Sequence, residues 1–197
     1  MKTPAQGALV LASTSIYRRQ LLERLGLRFE VAAPNVDEAP GSHEDSAATA
    51  ARLAEAKARA VAARFPGALI IGSDQVADVD GVRLDKPGSH ERAVEQLRMA
   101  RGRAVVFHTA VTVLNVDNGR LNTRVVPTRV VFRRLTDSQI ENYLRREKPY
   151  DCAGSAKSEA LGIALIQALE GNDPSALVGL PLIALVDLLS AEGIEVV

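Results

Sequence analysis

Two strand-like runs, Val105–Val116 and Leu121–Phe132, flank Asp117-Asn118-Gly119. Asn-Gly supplies the positive φ angles of a tight turn, so this segment predicts a long antiparallel hairpin. Elsewhere, helix and strand periods alternate, as in chains that build parallel crossovers. A chain containing both signals is predicted to form a mixed sheet with helices against it, an α/β fold.

The alternation begins at the stretch GALVLASTSIYRRQLLERLG. Ala8–Ala12 reads as a buried strand and Ser15–Leu25 as a helix closed by Gly26. Arg28–Ala33 reads as a second strand, followed by the loop PNVDEAPGSHEDS. The Ala-rich segment AATAARLAEAKARAVAARF is a strong helix former, with Leu53, Ala56, Ala60 and Val61 expected on its buried face. Ala68–Gly72 reads as a buried strand ending at Ser73-Asp74-Gln75, before a turn at Asp80-Gly81. Further helices are expected from about Glu91 to Ala100, from a capping box at Thr136–Gln139 to about Arg146, and over Pro181–Ser190. Gly162–Leu169 reads as a strand. Without repeats or a linker, residues 1–197 are expected to form one domain.

Composition narrows the partners. The chain is 47% hydrophobic but only 4% aromatic and has no Trp, so Ala, Val, Leu and Ile must fill the core. Twenty-four Lys and Arg balance 24 Asp and Glu. No global field gathers a nucleic-acid polymer, and small anionic ligands are favoured. The single cysteine, Cys152, excludes an intramolecular disulfide and fits a reducing compartment. No apolar run reaches the ~18–20 residues of a membrane span, and the apolar N-terminal run is shorter than a signal peptide requires. A cytoplasmic location is expected.

Three constellations carry chemical potential. At the first strand–helix junction, unpaired N–H groups and the helix dipole favour an anion. Ser13 and Ser15 can add donors there, and Arg18 and Arg19 add charge. Equally, the hydroxyls can be plain N-caps and the arginines a solvated face. Arginines at this helix end oppose the dipole, which an anion between them would relieve.

The second constellation centres on Asp74, at the carboxyl end of the strand-like ALIIG run. It can serve as general base, metal ligand or turn former. Asp37-Glu38 can join it around a divalent cation or remain a solvated acidic loop. Lys57 and Lys86 add cations, or simply solubility.

The third is YDCAGSAKSEALG, whose small residues allow close backbone approach to a ligand and whose Glu159 is an acceptor pair. Cys152 is expected to pack as a small residue, because none of His43, His90 and His108 stands out as its base. The histidines lack metal-ligand spacing, and GxxxxGK[ST], GxGxxG and Cys clusters are absent.

Taken in order, LASTSIYRR, PNVDE, RLAEAKA, IIGSDQV, DKP, CAGSAKSEALG and EGNDPSALVGLPL resemble the Maf-like nucleotide pyrophosphatase family. The nearest branch is the 7-methyl-GTP pyrophosphatases. The resemblance implies an elongated α/β fold with a central cleft, of the kind shared with inosine triphosphate pyrophosphatases. It also implies a cytoplasmic enzyme that uses a divalent cation (Mg, Mn or Co), cleaves nucleoside triphosphates to monophosphate and pyrophosphate, and commonly forms homodimers.

By resemblance, Ser13, Ser15 and Arg18 line the triphosphate, Glu38 is the acidic loop residue, Lys57 is the helix lysine and Lys86 the lysine before proline. Asp74 matches the general base, and Glu38 and Asp74 would hold the metal. Branches acting on dTTP and UTP typically carry Arg, Thr and Gln where this chain has Tyr17, Gln75 and Glu159. A carboxylate such as Glu159 can accept guanine's two adjacent N–H donors. N7-methylation makes the base cationic, and an aromatic face such as Tyr17 then adds a cation–π attraction. The 7-methyl-GTP branch often has Trp at the Tyr17 position. A dTTP/UTP pyrophosphatase and a non-catalytic nucleotide-binding regulator of cell division or septum formation are the alternatives.

Overall fold

The computed structural model describes residues 8–39, 41 and 44–197. Among these, strands β1 (Leu9–Ala12), β2 (Glu30–Ala32), β3 (Leu69–Val79), β4 (Val82–Arg83), β5 (Ala104–Asn115), β6 (Leu121–Phe132) and β7 (Ile166–Glu170) form one mixed sheet. Its order is β2-β1-β3-β5-β6-β7, with β4 paired to β3. The β1 pairs with β2 and β3 are parallel, and the remaining pairs are antiparallel. The helices are α1 (Ile16–Glu23), α2 (Ser46–Ala62), α3 (His90–Ala100), α4 (Asp137–Glu147) and α5 (Leu182–Ala191), with short 3-10 turns at Ala153–Ser155, Leu161–Leu165 and Ala176–Val178. The α/β expectation holds.

The apolar runs of β1 and β3 are continuous because both faces of the sheet are covered. Leu9, Leu11, Leu69 and Ile71 meet Leu21 and Leu22 of α1 and Leu185, Leu188 and Leu189 of α5. Val10, Ala12 and Ile70 alternate to the opposite face and meet Ala58 and Val61 of α2. A third cluster joins Ala77, Val79, Val105 and Phe107 to Leu97 of α3 and Ile140 and Leu144 of α4. Each fully buried leucine contributes about 1.5–3 kcal/mol relative to an exposed one.

Local chemistry sets several boundaries as expected. Thr136 and Gln139 form the reciprocal capping box of α4. Asp80 (φ 50°) and Gly81 (φ 81°) make the two-residue turn between β3 and β4. The β5–β6 hairpin pairs from Ala104↔Val131 to Leu114↔Leu121.

Three expectations need correction. The segment beginning at Gly162 is a 3-10 turn before it becomes a strand at Ile166. Gly162 and Leu165 are buried while Ile163 and Ala164 are exposed, the three-residue spacing of that helix. The buried face of α2 is Ser46, Thr49, Ala50, Leu53, Ala54, Lys57, Ala58 and Val61, whereas Ala60 is exposed and Ala56 only partly covered. Finally, β3 does not end near Asp74: antiparallel pairing with β5 carries it to Val79.

That extension creates the cleft. On the β3 edge away from β5, β1 pairs with residues 69–72 and β4 with residues 78–79. Between them β3 borders an opening. It is β1 that ends at the site, and its carboxyl end delivers the chain into α1.

Candidate active site

The opening is a cleft of about 730 Å³. Its walls come from the β1–α1 junction, the loop after β2, α2, β3, the segment after β4, and the chain from Asp151 to Glu159. The ten residues to which the resemblance gives a role (Ser13, Ser15, Tyr17, Arg18, Glu38, Lys57, Asp74, Gln75, Lys86 and Glu159) line it, whereas the other charged candidates, Arg19 and Asp37, do not.

At the junction, both serines cap. Ser13 Oγ accepts from the Ser15 N–H at 3.1 Å, and Ser15 Oγ accepts from the Arg18 N–H at 3.4 Å. The two arginines then part. Arg19 turns outward to Glu23 at 2.9 Å, whereas Arg18 turns inward and its Nε donates to the Gly179 carbonyl at 2.8 Å. Burial pulls the Arg18 guanidinium below its ordinary pKa, against the opposing charges of Asp74 and Glu38. It remains protonated at any physiological pH.

The alternation of side chains along β3 divides its work. Ser73 and Gln75 point to the side of the Ala176–Gly179 turn. Ser73 Oγ donates to Ala110 and Gly179 carbonyls, and Gln75 Nε2 donates to Thr109 Oγ1 and to the Ala176 and Leu177 carbonyls. The Gln75 amide N–H groups therefore tie the turn down, and what Gln75 can offer a ligand is its oxygen.

Asp74 lies on the opposite face, toward α2. Gly72 sets the approach of the two elements: a Cβ there would lie 2.1 Å from the Ala54 carbonyl oxygen and 3.0 Å from Ala58 N. This closeness brings Lys57, from the buried stripe of α2, onto Asp74. Lys57 Nζ is 2.6 Å from Asp74 Oδ1 and 2.6 Å from Glu38 Oε1. Lys57 is therefore not a solubilising residue; it is 5% exposed. Burial disfavours the Glu38 carboxylate, but the Lys57 hydrogen bond and the charges of Lys57, Lys86 and Arg18 outweigh it, holding Glu38 below the usual carboxylate pKa. Neighbouring Asp37 instead accepts from the Ala39 N–H at 2.9 Å, closing a local turn.

Lys86 sits in the segment after β4, which is linked to the opposite wall. Gly88 N donates to the Tyr150 carbonyl at 3.0 Å, and Gln96 bridges the Asp85 carbonyl and the Ser155 hydroxyl at 2.7 and 2.6 Å. Burial pushes the Cys152 thiol up to about 12, with Asp151 acting in the same direction, so it is no nucleophile at neutral pH. His90 lies between Tyr150 and Glu141, each at 3.0 Å, and His108 lies 3.2 Å from Asp78. His43 falls outside the described residues.

Sequence reasoning missed Asp85 and Asp151, which also line the cleft. Asp85 adjoins Lys86, so proximity to the DKP triplet was the available signal. Asp151 sits in an aperiodic segment with none.

Among the described residues, no group of three or more His, Cys, Asp or Glu gathers into a metal cage. The Glu38–Asp74 pair suits a hard cation that takes one or two carboxylates and completes its shell with water and substrate phosphates, as Mg²⁺ does. Within the described residues, no helix is long and apolar enough to cross a membrane.

Comparisons with known proteins place the chain in a family. The sequence model of one family, described as Maf-like protein, matches residues 8–192. A 7-methyl-GTP pyrophosphatase of Polaromonas sp. is 59% identical over 98% of this chain and 88% of its own length. Another protein of that name, from Methylobacillus flagellatus, is 57% identical over 96% of this chain and 98% of its own. A third, from Thiobacillus denitrificans, is 59% identical over 98% and 96%. Among solved structures, a nucleoside-triphosphatase (dITP/XTP pyrophosphatase) of Mycobacterium abscessus aligns with a TM-score of 0.41 at 17% identity, over 65% of this chain and 75% of that one, a likeness too slight to bear on the site. On the family match and these near full-length identities, the chain belongs to the Maf-like protein family.

Proposed function

We propose that this chain hydrolyses 7-methyl-GTP to 7-methyl-GMP and pyrophosphate. The observation that carries the proposal is the gathering of two kinds of group in one cleft. Lys57 clasps Asp74 and Glu38, with Arg18 and Lys86 lining the same cleft. Tyr17 and Glu159 add an aromatic face and a carboxylate to the lining. The former set suits a triphosphate, and the latter pair suits a cationic guanine-type base. The relatives named 7-methyl-GTP pyrophosphatase support the choice of base.

In this mechanism, water attacks the α-phosphorus, the bond to the α–β bridging oxygen breaks, and pyrophosphate leaves with the bonding electrons. Asp74 orients the water and takes its proton. Because Oδ1 is committed to Lys57, Oδ2 is the accepting oxygen. Arg18, Lys57 and Lys86 stabilise the charge that builds on the leaving pyrophosphate. A divalent cation (Mg, Mn or Co) held by Glu38 and Asp74 would supply further neutralisation of the phosphates. Ser13 and Ser15 border the phosphate end, where the start of α1 directs its N–H groups. Glu159 accepts guanine's two donors, and Gln75 offers its oxygen to the same cleft. The proposal further takes the whole chain as one catalytic unit that acts in the cytoplasm as a homodimer, without a nucleic-acid polymer or membrane as partner.

The test is a pyrophosphate-release assay with 7-methyl-GTP, GTP, dTTP and UTP, each with Mg²⁺, Mn²⁺ or Co²⁺. The largest kcat/KM is expected for 7-methyl-GTP. Faster turnover of dTTP or UTP would favour the pyrimidine reading. Nucleotide binding without pyrophosphate release would favour a non-catalytic regulator.

A further inference from the structure

The ring of Tyr17 already carries a cation. Lys157 Nζ lies 5.9 Å from the ring centroid, within cation–π range. Lys157 is not itself one of the residues lining the cleft, whereas Tyr17 is. Asp151 completes the arrangement: its Oδ2 accepts from the Tyr17 hydroxyl at 3.5 Å, and its Oδ1 lies 3.7 Å from Lys157 Nζ. The Lys157 side chain is 17% exposed and that of Asp151 62%. These three side chains join α1 to the segment following Tyr150, two walls of the cleft that are distant in sequence.

An aromatic ring attracts cations at either face through one quadrupole. An ammonium fixed beside that ring repels a second cation brought to it, while a carboxylate at its rim attracts one. Neither effect acts on a neutral base. The pair thus bears on the difference between a methylated and an unmethylated guanine without touching the phosphates. Resting on the proposed function for its substrate class, we propose that Lys157 and Asp151 are specificity-determining residues that set, in opposite directions, how strongly Tyr17 prefers a cationic base over a neutral one.

The test measures kcat/KM for 7-methyl-GTP and GTP, and calorimetric affinities for 7-methyl-GMP and GMP, in wild type, Lys157→Met, Lys157→Arg and Asp151→Asn. Lys157→Met keeps most of the aliphatic stem and removes the charge, so the methylated-to-plain ratio should rise about three- to tenfold. Asp151→Asn should lower it by a similar factor. Lys157→Arg keeps a cation at the ring and should leave the ratio within about twofold of wild type. Both shifts should shrink as ionic strength rises, since these groups border solvent. A purely structural clasp would move the two ratios in the same direction or not at all, and either result overturns the inference. A wild-type ratio near one would instead overturn the assignment of the base, and opposite shifts around that value would still uphold the roles of Lys157 and Asp151.

Discussion

Lys57 on α2 donates to Asp74 on β3 across 2.6 Å, and the contact exists because Gly72, two residues before Asp74, lets the strand lie against the helix backbone. Lys57 binds Glu38 at the same distance, so one buried ammonium gathers two carboxylates that would otherwise repel. The pairing leaves neither carboxylate without a counter-charge inside the cleft.

Gly72→Ala should therefore damage both stability and the site. The added Cβ would meet the Ala54 carbonyl, a backbone atom unable to rotate away. A loss of about 1–3 kcal/mol or more in urea unfolding is expected, with turnover falling as α2 is pushed off β3. A variant within about 0.5 kcal/mol of wild type would show that the approach is not tight.

Glu38 should make its contribution to stability pH-dependent. Its folded pKa lies below the ordinary value of 4.5, chiefly because Lys57 and the neighbouring cations outweigh its burial. A depressed carboxylate stabilises fully above its unfolded value and loses that contribution as pH falls through the folded one. The advantage of wild type over Glu38→Gln, measured in chelator at a series of pH values, should narrow below about pH 4.5. An advantage that widens in acid would contradict the sign.

Arg18→Ala should weaken binding of a nucleoside triphosphate more than that of the monophosphate, because the proposed mechanism assigns Arg18 to the phosphates and not to the base. Charge-assisted contacts of this kind are worth about 1.5–3 kcal/mol. Calorimetric titration with both ligands distinguishes the cases; equal losses would remove Arg18 from the polyphosphate site.

Tyr17 and Glu159 should fail differently. Glu159→Gln keeps one oxygen acceptor but turns an amide toward a guanine donor, lowering specificity for guanine-type substrates about ten- to a hundredfold. Tyr17→Ala should instead erode the preference for 7-methyl-GTP over GTP by ~0.5–2 kcal/mol. Specificity constants for 7-methyl-GTP, GTP and UTP report both effects. If neither ratio moves, base choice resides elsewhere in the cleft.

What could be read from the sequence was the local chemistry. The capping box at Thr136, the turn at Asp80-Gly81 and the Ser13–Arg18 junction each depend on residues a few positions apart. The extent of β3 was not legible, because its second half is held by β5, whose partner residues lie far downstream, from Asp74↔Ala110 to Asp78↔Val106. Lys57 was legible in part. It lies four residues after Leu53 and four before Val61, on their face, but in an Ala-rich helix few large side chains mark that face. Arg19 has Glu23 four residues further along α1, a local signal for its outward turn, whereas the inward turn of Arg18 depends on Gly179, far away in sequence. Asp151 and Lys157 reach Tyr17 only through the tertiary fold.

The most direct test of the account is product analysis of 7-methyl-GTP turnover by wild type and Asp74→Asn, beside nucleotide affinity and thermal unfolding. Wild type should release 7-methyl-GMP and pyrophosphate in equal amounts. Asp74→Asn should remain folded and bind nucleotide while its kcat falls about 10²–10⁴-fold. Orthophosphate and the diphosphate as products, or near-normal turnover by a folded Asp74→Asn protein, would contradict the claim that Asp74 directs water to the α-phosphorus.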